Sequence, residues 1–205
     1  MTKTILKWAG NKSKVMDKIG KLFPNEYERY LEPFAGSLGA FLNSGVECKA
    51  LMNDLNKEIF NLFECVLEDH ERVSKLANTI EKSKENYYKV RNLDRDSNWS
   101  STTNRFEKAA RIVYLNKMCF NGLYRINKSG QSNVGRFGWK EQEELIEECK
   151  RLKSLGCKVV VSNSYCDETL ELYKDFDIHI IEAPRYISCK KDGRKPVKEI
   201  VAILT

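Results

Sequence analysis

Two glycines and the run before them have the spacing of a ligand-binding loop. Gly36 and Gly39 follow a short extended run at residues 30–34, and a helical stretch begins after them at Ala40. Glycine allows positive φ angles and lets a ligand approach the backbone, while the start of the following helix presents free N–H groups. A plain tight turn would use the same residues. The spacing alone therefore leaves both interpretations open.

An aspartate at the end of the next predicted strand favours a nucleotide ligand. Residues 48–52 form that strand, and Asn53 and Asp54 close it. A carboxylate at this place in a strand–helix–strand unit accepts hydrogen bonds from ribose hydroxyls. A helix N-cap is the alternative role of Asp54. The full dinucleotide-binding fingerprint is absent from the sequence.

Basic side chains are concentrated in two parts of a chain whose formal net charge is only +6. Residues 105–136 contain seven Lys or Arg residues against one Glu, and residues 185–198 contain six against one Asp. Such runs form a solvated face or contact a polyanion. The distribution indicates a polyanionic partner without establishing one.

The composition predicts one globular domain, with or without a small insertion, in a chain of 205 residues. Seven cysteines without a C-x-x-C pair predict reduced thiols and a cytoplasmic location. The two histidines, His70 and His179, lie apart from each other, so no metal site is predicted. Apolar stretches are short and no secretory leader pattern occurs, so we expect no membrane association.

The elements that would position these residues follow an α/β pattern. The first strand, the glycine loop with its helix and the second strand form a βαβ unit, which favours a parallel sheet. Long helical patterns at residues 56–84 and 104–119 predict an inserted helical subdomain. The other predicted elements are helices at 13–22, 141–155 and 168–173, a strand at 158–161, and an antiparallel hairpin of 178–181 with 197–204.

Several segments resemble the motifs of the Dam-type DNA adenine-N6 methyltransferases in content and in order. Because these segments are collinear over nearly the whole chain, the sequence is identified as a member of that family. The matching segments are residues 5–12 (ILKWAGNK), 31–36 (LEPFAG), 53–56 (NDLN), 119–127 (CFNGLYRIN) with Gly130, 133–134 (NV), 137–139 (FGW), 161–164 (VSNS), 187–188 (IS) and Glu199.

The resemblance implies a Rossmann-like methyltransferase sheet that binds S-adenosylmethionine. Residues 1–55 and 137–205 would form the methyltransferase domain, and residues 56–136 a helical and hairpin insertion that recognises duplex DNA. The commonest target of the family is GATC. The sequence does not predict an oligomeric state.

Six cofactor contacts are implied by the resemblance. For Trp8, packing as a half-buried aromatic is the alternative role. The implied contacts are Trp8 and Lys12 to the cofactor, Phe34, Gly36 and Gly39 around its methionine end, and Asp54 to its ribose hydroxyls.

The DNA contacts are implied for a hairpin at residues 120–133. An adenine within a duplex must be flipped out to reach a methyl donor, so a wedge beside the vacated position is expected. A surface hairpin with a salt-bridged arginine is the alternative. The expected contacts are Arg125 to a guanine edge, Asn121 and Asn127 as paired donors and acceptors, Phe120 and Leu123 as wedges, and Lys117 and Lys128 to phosphates.

One family motif has no counterpart in this chain. The family accepts the amine hydrogens of adenine with an Asp-Pro-Pro-Tyr block, and neither Asp-Pro-Pro nor Asn-Pro-Pro occurs here. By the resemblance, this block and two sheet strands belong between Val134 and Phe137. We therefore predict an internal deletion and assign no catalytic residue. Two functions stay open, a DNA adenine-N6 methyltransferase and a catalytically inactive DNA-binding remnant of one.

Overall fold

The computed structural model describes residues 1–96, 98–119, 139–184 and 196–205. The chain forms two compact units, Met1–Ser13 with Glu28–Gly135 and Lys14–Tyr27 with Arg136–Thr205. The described helices are α1 (Met16–Ile19), α2 (Phe41–Ser44), α3 (Lys57–Thr79), α4 (Lys84–Asn92), α5 (Trp99–Thr102), α6 (Arg105–Met118), α7 (Trp139–Ser154) and α8 (Asp167–Leu172), and the strands are β1 (Arg29–Glu32), β2 (Lys49–Met52), β3 (Val159–Ser164), β4 (Asp177–Ala183) and β5 (Val197–Leu204).

The first unit contains the predicted parallel strand pair. Strand β1 pairs with β2 so that Arg29 lies opposite Lys49 and Glu32 opposite Met52. The helix expected after the glycine loop is present as α2, but it has only four residues and ends at Gly45, which has a φ of 72°. Most of the connection between the strands is therefore loop rather than helix.

The long helical pattern at residues 56–84 is broken twice in the structure. Asp69, with φ −157° and ψ 84°, interrupts α3, and its carboxylate accepts the N–H of Arg72 at 2.9 Å to begin the next turn. The separate helix α4 begins after Ser83, whose hydroxyl accepts the N–H of Asn86. The sequence pattern missed both breaks, because capping side chains on the polar face do not disturb the apolar period.

Helices α3 and α6 build the core of the first unit. Their apolar faces meet around residues such as Ile59, Leu62 and Ile112, which are fully buried. Leu6 from the N-terminal segment enters the same cluster, and Trp8 packs against it. The N-terminal segment is thus fixed to the helical layer.

The second unit contains an antiparallel sheet in the order β3-β5-β4. The predicted pairing of residues 178–181 with 197–204 is confirmed, with Ile180 opposite Ile200. Ile146 of α7 and Tyr173, which follows α8, pack with Ile200 in one buried cluster. This unit therefore has its own core.

The fold is mixed α/β with a small parallel sheet, as predicted at that level. The described strands form two separate sheets of two and three strands. On the parallel pair, Leu31 is 55% and Leu51 is 63% exposed, whereas parallel strands are normally covered on both faces. Within the described ranges, no helix combines the length and the apolar character that a membrane crossing requires.

Candidate functional site

The glycine loop at residues 33–40 follows β1 and has an unusual backbone. Gly36 has a φ of 49°, and Leu38, which carries a side chain, has a φ of 61°. The N–H of Leu38 donates to the carbonyl of Ala35 at 2.8 Å, which closes a tight turn. A left-handed non-glycine residue costs roughly 1 kcal/mol or more and tends to occur where a loop binds a ligand.

Asp54 ties this loop to the end of β2. One carboxylate oxygen accepts the N–H of Gly36 at 2.8 Å, and the other accepts the N–H of Asn56 at 2.9 Å. The N-cap of α3 is Asn56 rather than Asp54, because the Asn56 side chain accepts the N–H of Glu58. A carboxylate oxygen has two lone pairs, so both oxygens of Asp54 can accept a further hydrogen bond.

The indole ring of Trp8 lies against the glycine loop. A Cβ atom built on Gly36 would lie 3.0 Å from Cδ1 and 3.3 Å from Nε1 of Trp8. Only glycine leaves room for this approach, and the positive φ of Gly36 adds to the requirement. The structure therefore brings together Trp8, Gly36 and Asp54. Trp8 is also partly buried against the core, as its alternative role predicts.

Gly39 faces a second close contact, with Asn11. A Cβ on Gly39 would lie 2.8 Å from Cγ of Asn11 and 3.0 Å from the hydroxyl of Ser13. Asn11 in turn donates to the hydroxyl of Ser37 at 2.9 Å, and Ser37 is buried. Sequence reasoning assigned no role to Asn11 or Ser37. The signals were the place of Asn11 within the motif 5–12 and the place of Ser37 between Gly36 and Leu38 in the glycine loop.

Glu32 closes the glycine loop from its other side. The Tyr30 hydroxyl donates to its carboxylate at 3.0 Å, and the backbone N–H of Phe41 also bonds to it. Burial raises the pKa of the Glu32 carboxyl, and these two hydrogen bonds oppose the rise without cancelling it. Glu32 was not among the predicted site residues, since its partner Phe41 lies across the loop.

Of the two other predicted cofactor residues, Phe34 lies within the loop, and Lys12 lies in the chain between Asn11 and Ser13, which contact Gly39. Phe34 is 62% exposed, and Lys12 is half-buried. Near Asp54, the buried side-chain nitrogen of Asn56 has no hydrogen-bond partner among the residues that the structure describes. A buried donor without a partner indicates a place for a water molecule or a ligand acceptor.

The predicted DNA contacts are described at one position only. Lys117 is exposed in the last turn of α6. Phe120, Asn121, Leu123, Arg125, Asn127 and Lys128 lie outside the described residues.

Arg111 corrects the interpretation of the basic run at 105–136. It is 2% exposed, and its guanidinium lies 3.0 Å from a carboxylate oxygen of Glu58 and 3.0 Å from one of Asp94. Arg111 therefore belongs neither to a solvated face nor to a polyanion-binding surface. The count of basic residues in this run could not predict the burial of Arg111, because charge composition does not report burial.

The arrangement of the glycine loop, the ring of Trp8 and the carboxylate of Asp54 is typical of an α/β protein with a nucleotide-type cofactor site. They converge beyond the carboxyl end of parallel strands, where α/β proteins bind nucleotide-type cofactors. The donors and acceptors present suit a ligand with hydroxyl groups and a flat ring.

Comparison with known proteins gives the family. Residues 8–140 match the family model of the D12 class N6 adenine-specific DNA methyltransferases. The match covers most of the chain, and the chain belongs to this family.

Individual relatives agree with this assignment. The type II methyltransferase M1.LlaDCHI of Lactococcus lactis subsp. cremoris is 29% identical over 265 aligned positions, which cover 95% of this chain and 93% of the relative. The DNA N-6-adenine-methyltransferase of Escherichia phage P1 is 27% identical over 98% of this chain and 35% of its own length. The DNA adenine methylase of Haemophilus influenzae is 35% identical over 63% of this chain and 45% of its own length.

Proposed function

We propose that this chain binds S-adenosylmethionine at the cradle formed by Trp8, the glycine loop and Asp54. The hydrogen bond from Gly36 to Asp54 carries the proposal, because it holds a carboxylate, which would accept from ribose hydroxyls, beside a loop in which only glycine fits at position 36. When bound, this cofactor supplies an electrophilic methyl group. Trp8 would stack on the cofactor, Gly39 and Phe34 would shape its methionine end, and Lys12 would contact it.

The proposed substrate is adenine in duplex DNA, at a GATC-like site. The family assignment supports this, as do the relatives that are named DNA adenine methylases. We propose that residues 56–136 form the recognition part and that residues 1–55 with 137–205 form a Rossmann-like domain. Lys117 would contact phosphate from the exposed end of α6.

We further propose that the Rossmann-like sheet lacks two strands here and that the chain has lost methyl transfer. No Asp-Pro-Pro block is present to accept the hydrogens of the adenine amine. The alignment with the Lactococcus relative is longer than this whole chain, so some residues of the relative stand opposite gaps.

The test is transfer of a labelled methyl group from S-adenosylmethionine to duplex DNA with adenine in varied contexts. The purified chain is expected to bind both ligands and to transfer no label. The variant Asp54→Asn is the matched control for contamination, because activity of the chain itself must fall with it. Label on adenine N6 that depends on Asp54 would disprove the loss of methyl transfer and would show that the chain is an active methyltransferase.

A further inference from the structure

Asn116, near the end of α6, holds both backbone polar groups of Lys7. Its side-chain oxygen accepts the Lys7 N–H at 2.9 Å, and its side-chain nitrogen donates to the Lys7 carbonyl at 2.8 Å. Asn116 is only 2% exposed, and Lys7 lies outside any helix or strand. The amide therefore takes the place that a neighbouring strand would otherwise fill.

The two hydrogen bonds between Asn116 and Lys7 form a clamp, which lies next to the proposed cofactor site. Trp8 follows Lys7 directly, and its ring lies against Gly36. Leu6, on the other side of Lys7, is buried in the core. A rotation of the Lys7 backbone would thus leave Leu6 anchored and move the ring of Trp8 away from the loop.

We propose that Asn116 is a positioning residue that sets Trp8 in place for the cofactor. This inference rests on the proposed function, although the clamp itself is a property of the free protein. Only a side chain that donates and accepts at once can bond both groups of Lys7. Alanine does neither, and an ionised aspartate only accepts.

The test uses Trp8 as its own reporter. Trp99 and Trp139 are the other tryptophans, and Trp99→Phe with Trp139→Phe leaves Trp8 alone. In that background, Asn116→Ala is expected to shift the Trp8 emission to the red without ligand and to increase acrylamide quenching. It is expected to weaken S-adenosylmethionine binding about tenfold, because binding must then also order the backbone that carries Trp8.

The matched control is Asn61→Ala. Asn61 donates to the carbonyl of Arg105 at 2.9 Å, so it also fixes an end of α6 by a side-chain amide, but at the end remote from Trp8. We expect this variant to leave Trp8 emission and cofactor affinity unchanged.

Asn116→Asp provides a rescue if the alanine variant does not fold. A protonated aspartate can donate and accept as asparagine does, so the affinity ratio of Asn116→Asp to the parent is expected to approach one as the pH falls. Unchanged Trp8 emission in a folded Asn116 variant would overturn the proposal. If the parent chain does not bind S-adenosylmethionine at all, the proposed function fails. The ligand-free emission still shows whether Asn116 positions Trp8.

Discussion

At the scale of single residues, the side chains of the candidate site also shape the fold around it. Asp54 accepts the backbone N–H groups of Gly36 and Asn56, so it links the glycine loop to the N-cap of α3. Trp8 packs on the core and on the loop at the same time. Substitutions here must therefore be compared with controls that share the structural part of the role.

Asp54→Asn is expected to weaken S-adenosylmethionine binding by roughly tenfold to a hundredfold. The amide keeps one acceptor and loses the charge, and hydrogen bonds to charged groups contribute about 1.5–3 kcal/mol. Isothermal titration calorimetry measures the change. Asp69→Asn is the control, because Asp69 also accepts a backbone N–H, that of Arg72, within α3. An equal loss in both variants would show that Asp54 acts on the fold alone.

Gly39→Ala is expected to destabilise the protein by roughly 1–3 kcal/mol. The added Cβ would collide with Asn11 and Ser13, which belong to the motif before α1. Urea unfolding of this variant should be compared with that of Gly20→Ala, since a Cβ at Gly20 meets no atom within 4 Å. Equal unfolding midpoints in the two variants would contradict the close packing of Asn11 on the loop.

At the scale of elements, buried polar groups on α6 join segments that are distant in sequence. Arg111 donates to the carbonyls of Val90 and Arg91 at 2.9 Å each, which places a cation at the C-terminal end of α4. The same guanidinium reaches Glu58 on α3. One side chain thus fixes α4 and α3 to α6.

Arg111→Met is expected to cost about 3 kcal/mol of unfolding free energy, because it leaves carbonyls and carboxylates without their buried partner. Hydrogen exchange should show the loss of protection first in α4. Arg105→Met is the control on the same helix, since Arg105 pairs with Glu68 at the surface and exposed pairs contribute about 0–1 kcal/mol. If the unfolding free energy of Arg111→Met fell as little as that of the control, Arg111 would not be a buried link between α3, α4 and α6.

Glu32 joins β1 to α2 and makes stability depend on pH. Since burial raises its pKa above the ordinary value, its contribution is complete below the ordinary pKa and is lost as the pH rises through the raised pKa. The unfolding free energy of the wild type minus that of Glu32→Gln is expected to fall as the pH rises from the ordinary carboxyl pKa through the raised pKa of Glu32. Urea unfolding at a series of pH values measures this difference. A flat difference for Glu32 would show that partial burial does not raise its pKa.

At the scale of the whole molecule, the chain combines a parallel pair and an antiparallel sheet in separate compact units. Each unit has its own buried cluster. The proposed cofactor residues all belong to the first unit. We therefore expect the proposed cofactor binding to persist without the catalytic block.

Two substitutions in the predicted hairpin separate base recognition from phosphate binding. Arg125→Ala is expected to reduce discrimination at one base pair by roughly 1–3 kcal/mol, whereas Lys128→Ala should weaken all duplexes about equally. Fluorescence anisotropy with a panel of duplexes at low and moderate salt measures both effects. A uniform loss in both variants would make Arg125 a phosphate contact.

The sequence by itself determined the family and most of the elements. Residues 30–34 and 48–52 predicted the parallel pair, and 178–181 with 197–204 predicted the hairpin of β4 and β5. These predictions succeed because hydrophobic period, turn residues and motif order are properties of neighbouring residues. The predictions for residues 120–128 stay predictions.

Only the tertiary structure decided which polar groups meet. Asn116 bonds to Lys7, which is distant in sequence, and Arg111 is buried beside carboxylates although it belongs to a basic run. The described strands pair in two sheets, of two and three strands. Such contacts depend on how the apolar faces of α3 and α6 pack, and no local pattern encodes the partner of a buried donor or acceptor.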